Sequence, residues 1–176
     1  CKVLMNKVYI KDNFLSIDFC KWLVDFYHSH FASYGSNFYD RNIINLMPLL
    51  HSLSNDNPIN DGDYIKKLTT DISKHILEID NNAFINYHHI TERCQGSFQP
   101  KHLDFDYHSY TSILYLNDNF KGGETVIDNF VMTPKMGTIV TFSGKLIPHE
   151  VKQVTCGTRY TITVWYKTLP IVPQNS

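Results

Sequence analysis

Arg159-Tyr160-Thr161-Ile162-Thr163-Val164-Trp165-Tyr166 alternates two kinds of side chain, and the reading of the fold begins from that alternation. Successive side chains of a strand point to opposite faces. Tyr160, Ile162, Val164 and Tyr166 therefore make one face, apolar enough to pack against helices. Arg159, Thr161, Thr163 and Trp165 make the other, which carries a permanent cation and two hydroxyls into the interior of a barrel. Ten residues before Arg159 stands His149, and further upstream comes His102-Leu103-Asp104.

The same reading extends backwards. Short β-rich runs at 83–91, 109–117, 124–127, 137–142, 146–152 and 158–167 are separated by Asn117-Asp118-Asn119, Gly122-Gly123, Pro134 and Cys156-Gly157. Many short strands between turn residues announce a sandwich or barrel. Ahead of them, Ser16 is placed to cap a helix over 16–31, whose Phe19, Trp22, Leu23, Phe26 and Tyr27 recur at three- and four-residue steps. His28 and His30 fall at its end, where a histidine can meet the terminal carbonyls. Ile65, Leu68, Ile72, Ile76 and Ile79 line one stripe of a second helix over 61–80, with His75 at the edge of that stripe. Residues 7–10 read as a short strand. Between the helices, 32–63 is looser, punctuated by Gly35, Pro48, Pro58 and a polar run at 54–57, and reads either as a mobile lid or as a surface connection. The predicted architecture is mainly β with helices (α+β): one domain over 1–176, with a double-stranded β-helix, or jelly roll, over 83–169 backed by a helical N-terminal region, 1–82.

Composition narrows the classes. A chain of 176 residues, 43% hydrophobic, can bury one sizeable core. Sixteen basic residues against seventeen acidic ones give a net charge of −1, so nothing in the total predicts capture by nucleic acid or by an anionic membrane. Cys1, Cys20, Cys94 and Cys156 lie far apart without a Cys-x-x-Cys pair, which predicts unpaired thiols. No apolar run approaches the roughly 18 to 20 residues of a membrane span. No signal-peptide pattern or Asn-x-Ser/Thr sequon is visible, which makes an intracellular protein the expectation.

The chemistry lies in His102, Asp104 and His149. Residues two apart on a strand share a face, so His102 and Asp104 can point inward together while Leu103 points away, and His149 completes the set from a distant strand. Two imidazoles and one carboxylate form the facial arrangement that suits ferrous iron and leaves metal positions open, whereas structural zinc takes four ligands, usually with thiolates. A dicarboxylate that chelates the metal through its keto-acid end leaves a far carboxylate, for which the planar guanidinium of Arg159 is a bidentate partner and the Tyr115 hydroxyl a second donor. The competing reading is structural: Arg159 in a buried ion pair with Glu124 or Glu150, and His149 a hydrogen-bonded core residue.

Pro148-His149-Glu150-Val151 followed by Arg159 to Tyr166 resembles the end of the hypoxia-sensing prolyl hydroxylases. Ile113-Leu114-Tyr115-Leu116-Asn117 with Gly122-Gly123-Glu124-Thr125 is similar to the middle of the wider prolyl and lysyl hydroxylase family, including prolyl 3-hydroxylases. The resemblance spans about 98–166. It implies iron(II) held by His102, Asp104 and His149, and 2-oxoglutarate as co-substrate, its far carboxylate on Arg159 and Tyr115 with Thr163 and Trp165 lining the pocket. It also implies oxygen as oxidant, ascorbate as supporting reductant, and hydroxylation of an unactivated carbon with release of succinate and carbon dioxide. Catalytic roles then fall to His102, Asp104, His149 and Arg159, and the expected partner is a protein or peptide, most simply a proline-containing one. Lysine hydroxylation, small-molecule oxygenation and a catalytically silent peptide-binding barrel are the alternatives. Collagen-type prolyl 4-hydroxylases carry lysine where Arg159 stands, and 92–99 lacks the tyrosines that many relatives place there. Tyr87, His88, Phe105, Tyr107 and Trp165 are the candidate walls of a substrate chamber.

Overall fold

The computed structural model describes residues 2–4, 7–52 and 61–170, with side chains over 7–50 and 61–170. In chain order it runs β1 (Lys2–Leu4), β2 (Val8–Lys11), α1 (Ile17–Tyr34), β3 (Gly35–Phe38), β4 (Arg41–Asn45), α2 (Leu49–Ser52), α3 (Asp61–Ile79), β5 (Ala83–Arg93), β6 (Gln99–His102), β7 (Tyr110–Tyr115), β8 (Lys121–Gly122), β9 (Thr125–Ile127), β10 (Phe130–Met132), β11 (Ile139–Phe142), β12 (His149–Val151), β13 (Val154–Cys156) and β14 (Arg159–Thr168).

The strands pair antiparallel throughout. Eight form one sheet in the order β1-β2-β11-β7-β14-β5-β4-β3, four form a second in the order β10-β9-β12-β6, and β13 pairs with β8. Side-chain parity sorts the cores as the alternation of β14 predicts. Tyr160, Ile162, Val164 and Tyr166 join Leu23, Phe26 and Tyr27 of α1 and Ile65, Leu68 and Ile72 of α3, so the helices cover the outer face of the large sheet. Ile113, Tyr115, Val140 and Phe142, from the opposite face, meet Ile127 and Met132 of the small sheet. The fold is the predicted two-sheet roll with helices on one side.

Local chemistry fixes the elements. Ser16 caps α1 by accepting from the Phe19 N–H at 3.1 Å. His30 meets the Phe26 carbonyl through Nδ1 at 2.9 Å, as a histidine near a helix end is expected to do. His75, 1% exposed, is more than an edge residue: its Nε2 bonds the Thr141 hydroxyl at 2.9 Å, Thr141 bonds Ser112 at 2.6 Å, and the Tyr166 hydroxyl donates to Ser112 at 2.9 Å. This buried hydroxyl chain ties α3 to β11, β7 and β14, because a polar group out of water requires a partner.

Two expectations change. Residues 32–63 are neither a lid nor a plain connection over 35–45: β3 and β4 form a hairpin that extends the large sheet, with Ile43 opposite Thr91 and Ile44 opposite Ile90. The polar run at 54–57 lies outside the described residues. The strand expected over 146–152 is confined to His149–Val151, because the Leu146 and Ile147 N–H groups turn back to the Ser143 carbonyl at 3.1 and 2.9 Å. Cys20, Cys94 and Cys156 are free thiols. Among the described residues no helix is long and apolar enough to cross a membrane.

Candidate metal and co-substrate site

Between the sheets lies a chamber of about 550 Å³. Its small-sheet side is built by β6 and β12, whose pairing sets His102 directly opposite His149. His102 is the last residue of β6; Leu103 turns out to solvent at 53% exposure, and Asp104 follows in an irregular segment, its N–H held by the Gly144 carbonyl at 3.0 Å. The predicted parity holds, although the strand ends before Asp104.

His102 Nδ1 bonds the Pro100 carbonyl at 2.8 Å and His149 Nδ1 bonds the Ile147 carbonyl at 3.0 Å. Each Nδ1 therefore carries a proton, which leaves Nε2 as the ring atom that a metal would take. Those Nε2 atoms lie 3.6 and 3.5 Å from Asp104 Oδ1, and the three potential ligand atoms fall within 4.8 Å of one another. Burial would raise the Asp104 carboxyl, but the facing His102 and His149 and the Thr111 hydroxyl outweigh it and hold Asp104 well below the usual carboxylate range. The Asp104 contact in turn raises His102 above the ordinary histidine value. Thr111 Oγ1 donates to Asp104 Oδ2, fixing the rotamer that leaves Oδ1 towards the imidazoles.

The large-sheet side carries Arg159, Thr163 and Trp165, all of which line the chamber. Arg159 is 2% exposed and meets no carboxylate among the described residues. Its Nη1 donates to Thr161 Oγ1 at 3.3 Å and its Nη2 to Thr125 Oγ1 at 3.1 Å, while Nε has no partner among the described residues. The Glu150 carboxylate pairs with Lys152 at 2.7 Å instead. The buried ion pair required by the structural reading of Arg159 is therefore absent among the described residues. Tyr115 is fully buried with the guanidinium 5.4 Å over its ring, and its hydroxyl lies 2.6 Å from Thr125 Oγ1. Gly123, at φ +66°, lets the backbone close on the Arg159 stem: an added Cβ would stand 3.1 Å from its Cδ.

Of the candidate walls, Tyr87, Phe105, Tyr107 and Trp165 line the chamber, with Phe105 and Tyr107 at its exposed mouth. His88 does not. Adjacent residues of a strand face opposite ways, and His88 bonds Thr69 of α3 at 3.0 Å while His89 lines the chamber. Sequence reasoning also missed Thr111, Gly144, Arg41 and Arg93. Parity on β7, where Thr111 shares a face with Ile113 and Tyr115, could have found the first.

Residues 83–167 match the family model described as the 2OG-Fe(II) oxygenase superfamily. These residues belong to that superfamily. The matched oxygenase segment contains every candidate ligand and all of β14 except Thr168. Prolyl 3-hydroxylase 2 of Homo sapiens is 37% identical to the chain over 75 residues, which span 38% of this chain and 11% of that protein. A Pseudomonas putida prolyl-4-hydroxylase shares the fold, with a TM-score of 0.76 at 18% identity, covering 94% of this chain and 95% of that one. A Trichoplax adhaerens prolyl hydroxylase, solved with a hypoxia inducible factor peptide, aligns with a TM-score of 0.70 at 20% identity over 93% and 84% of the two chains. The double-stranded β-helix is the fold the chain shares with these structures.

Proposed function

We propose that the chain is an iron(II)- and 2-oxoglutarate-dependent dioxygenase that hydroxylates a prolyl residue of a protein or peptide. One observation carries this reading: three potential ligand atoms cluster in the same chamber as a buried guanidinium that has no acid of its own among the described residues. With protons kept on both Nδ1 atoms, the two Nε2 atoms and a carboxylate oxygen would all donate electron pairs to a divalent cation, which satisfies them together. Buried Arg159, with Nε unpaired and only hydroxyls as partners among the described residues, fits the distal carboxylate of a diacid, and the Thr125 and Tyr115 hydroxyls beside it offer further hydrogen bonds.

In this reading His102, Asp104 and His149 hold the metal and Arg159 and Tyr115 hold the far end of 2-oxoglutarate, with Thr163 and Trp165 along its side. Bound iron(II), with oxygen and 2-oxoglutarate, supplies the oxidising chemistry: substrate C–H, O2 and 2-oxoglutarate become C–OH, succinate and carbon dioxide. The protein's share is position. The Pro100 and Ile147 carbonyls lock the two imidazoles, Thr111 and the Gly144 carbonyl lock Asp104, and the aromatic walls keep the reacting carbon dry and close.

Succinate release by purified protein with iron(II), ascorbate and 2-oxoglutarate tests the proposal, with stimulation by proline peptides expected and loss of that stimulation in His149→Ala. Stimulation by lysine peptides alone would move the assignment to a lysyl hydroxylase. Failure to bind metal or to turn over any co-substrate would favour a silent binding barrel.

A further inference from the structure

The inner face of the large sheet carries a row of three guanidiniums. Arg159 of β14 stands opposite Arg93 of β5, and Arg41 begins β4 one residue beyond the Asn42–Glu92 pair, so the three lie side by side across neighbouring strands. All three line the chamber. Among the described residues Asp40 is the one carboxylate that pairs with the row, through Arg93 Nη1 at 3.1 Å. Glu92 does not serve it: its oxygens accept from Tyr27, Asn42 and Tyr160 on the helix side of the sheet.

The three cations differ in how far they are satisfied. Arg93, at 4% exposure, donates to Asp40, to the Ser97 hydroxyl, to the Phe98 carbonyl and to the Gln99 side chain. Arg159 is the group assigned above to the co-substrate. Among the described residues Arg41 has one hydrogen bond, from Nη1 to the neutral Gln99 Oε1 at 2.8 Å, and its Nε has no partner; its guanidinium sits 5.0 Å over the Phe38 ring. It is also held in place. Next to it, Asp40 accepts from Ser97 Oγ at 3.1 Å and from the Phe98 N–H at 2.9 Å, which pins the tip of the β3–β4 hairpin to the segment leading into β6. A fixed, partly buried cation with one neutral acceptor is a poor structural element and a ready anion receptor. Once a diacid occupies Arg159, the row still carries one positive charge in excess.

We propose that Arg41 receives a carboxylate of the substrate, so that the preferred substrate carries an acidic side chain, or a free C-terminal carboxylate, beside the residue that is hydroxylated. This rests on the peptide-hydroxylase reading above and names its selectivity.

The test measures binding first and turnover second. Proline peptides with a neighbouring Glu, its Gln isostere, and a neutral peptide ending in a free or an amidated C-terminus are titrated by fluorescence anisotropy into protein loaded with Mn(II) and 2-oxoglutarate. One carboxylate peptide should bind about ten- to a hundredfold more tightly than its neutral counterpart, the range of a charge-assisted hydrogen bond. Whichever pair shows the gap identifies the source of the carboxylate. Arg41→Gln should erase the gap and Arg41→Lys should restore part of it, which a misfolded variant could not do. In turnover, the Arg41→Gln loss should appear in the peptide KM. Equal binding of charged and neutral peptides, binding of none, or a rise in the 2-oxoglutarate KM in place of the peptide KM would overturn the proposal. An intact binding preference without succinate release would instead count against the hydroxylase reading and leave the carboxylate site standing.

Discussion

Replacing Arg159 by methionine separates a co-substrate anchor from a structural arginine. The stem survives, so the contact with Gly123 is kept, and only the guanidinium goes. Free protein loses two hydrogen bonds to neutral hydroxyls, at 3.3 and 3.1 Å, and one of those hydroxyls, on Thr125, keeps Tyr115 at 2.6 Å. Each such bond, made by a charged donor, contributes about 1.5–3 kcal/mol, and removing a buried cation that no acid pairs recovers several kcal/mol of desolvation. The two nearly cancel, so Tm should move by no more than about 4 °C, the shift expected from about 1 kcal/mol in a chain of this size. The diacid, by contrast, loses a desolvated charge partner, at about 2–5 kcal/mol, which is roughly a thirtyfold to several-thousandfold loss in affinity. Equilibrium binding of 2-oxoglutarate with Mn(II) present, alongside thermal melts of the free protein, measures both quantities. Unchanged 2-oxoglutarate affinity with a Tm fall of about 10 °C or more, several kcal/mol on the same scale, would refute the anchor assignment.

Saturating Mn(II), at about 100 times its Kd, should stabilise the protein by about 2.7 kcal/mol, or very roughly 5–11 °C; His149→Ala should lose nearly all of that rise, and an equal rise in the variant would exclude His149 as a ligand. Gly144→Ala would set a Cβ onto Asp104 Oδ2 and Thr111 Oγ1, so metal affinity should fall about 10- to 100-fold, as when a ligand's supporting partner is lost; an Mn(II) titration showing wild-type affinity would mean that Asp104 need not sit where Gly144 allows it. Stability should fall on the acid side. Burial pushes His75 and His88 down to about 4 and His89 to about 3, so between those values and 6.5 the unfolded chain binds protons that the folded one refuses. Stability present above pH 6.5 is then lost as pH falls towards 4, with a slope approaching about 1.4 kcal/mol per pH unit for each histidine. Urea midpoints that stay flat from pH 6.5 to 5 would show that these rings are not held neutral.

What the sequence disclosed and what it hid divide along physical lines. β14 was legible because one of its faces must pack on helices and the other must not, and period-two alternation over eight residues records that demand. The clustering of the candidate ligands was legible for a related reason: two imidazoles and a carboxylate are rare partners, and the His-x-Asp spacing already implies a shared face. The β3–β4 hairpin was not legible. Gly35–Phe38 and Arg41–Asn45 are short and largely polar, and what makes them strands is the side of β5 they pair with, a contact 50 residues away in sequence for Asn42 and Glu92. The same non-local cause hid Arg41 and Arg93, whose meaning appears only when they fall in register with Arg159. His88 was misplaced because a strand cannot give Tyr87 and His88 to one face. β5 is bulged where Trp165 faces Tyr87 and Tyr166 faces Ile85, which leaves Asn86 to line the chamber beside Tyr87.

That register also explains how two distant half-sites stay aimed at each other. The imidazoles hang from the small sheet and the guanidiniums from the large one, so the chamber works only if both sheets keep their parity. A one-residue slip of β14 would turn Arg159 towards the helices and Tyr160 into the chamber. The slip is opposed from the outer face: Tyr160 donates to Glu92 at 2.8 Å, and Tyr166 donates to Ser112 within the buried chain that ends on His75. These bonds, made on the side away from the chemistry, hold the cation row in place. Removing the Tyr166 hydroxyl should therefore loosen 2-oxoglutarate binding by a route that touches neither the ligand nor the metal.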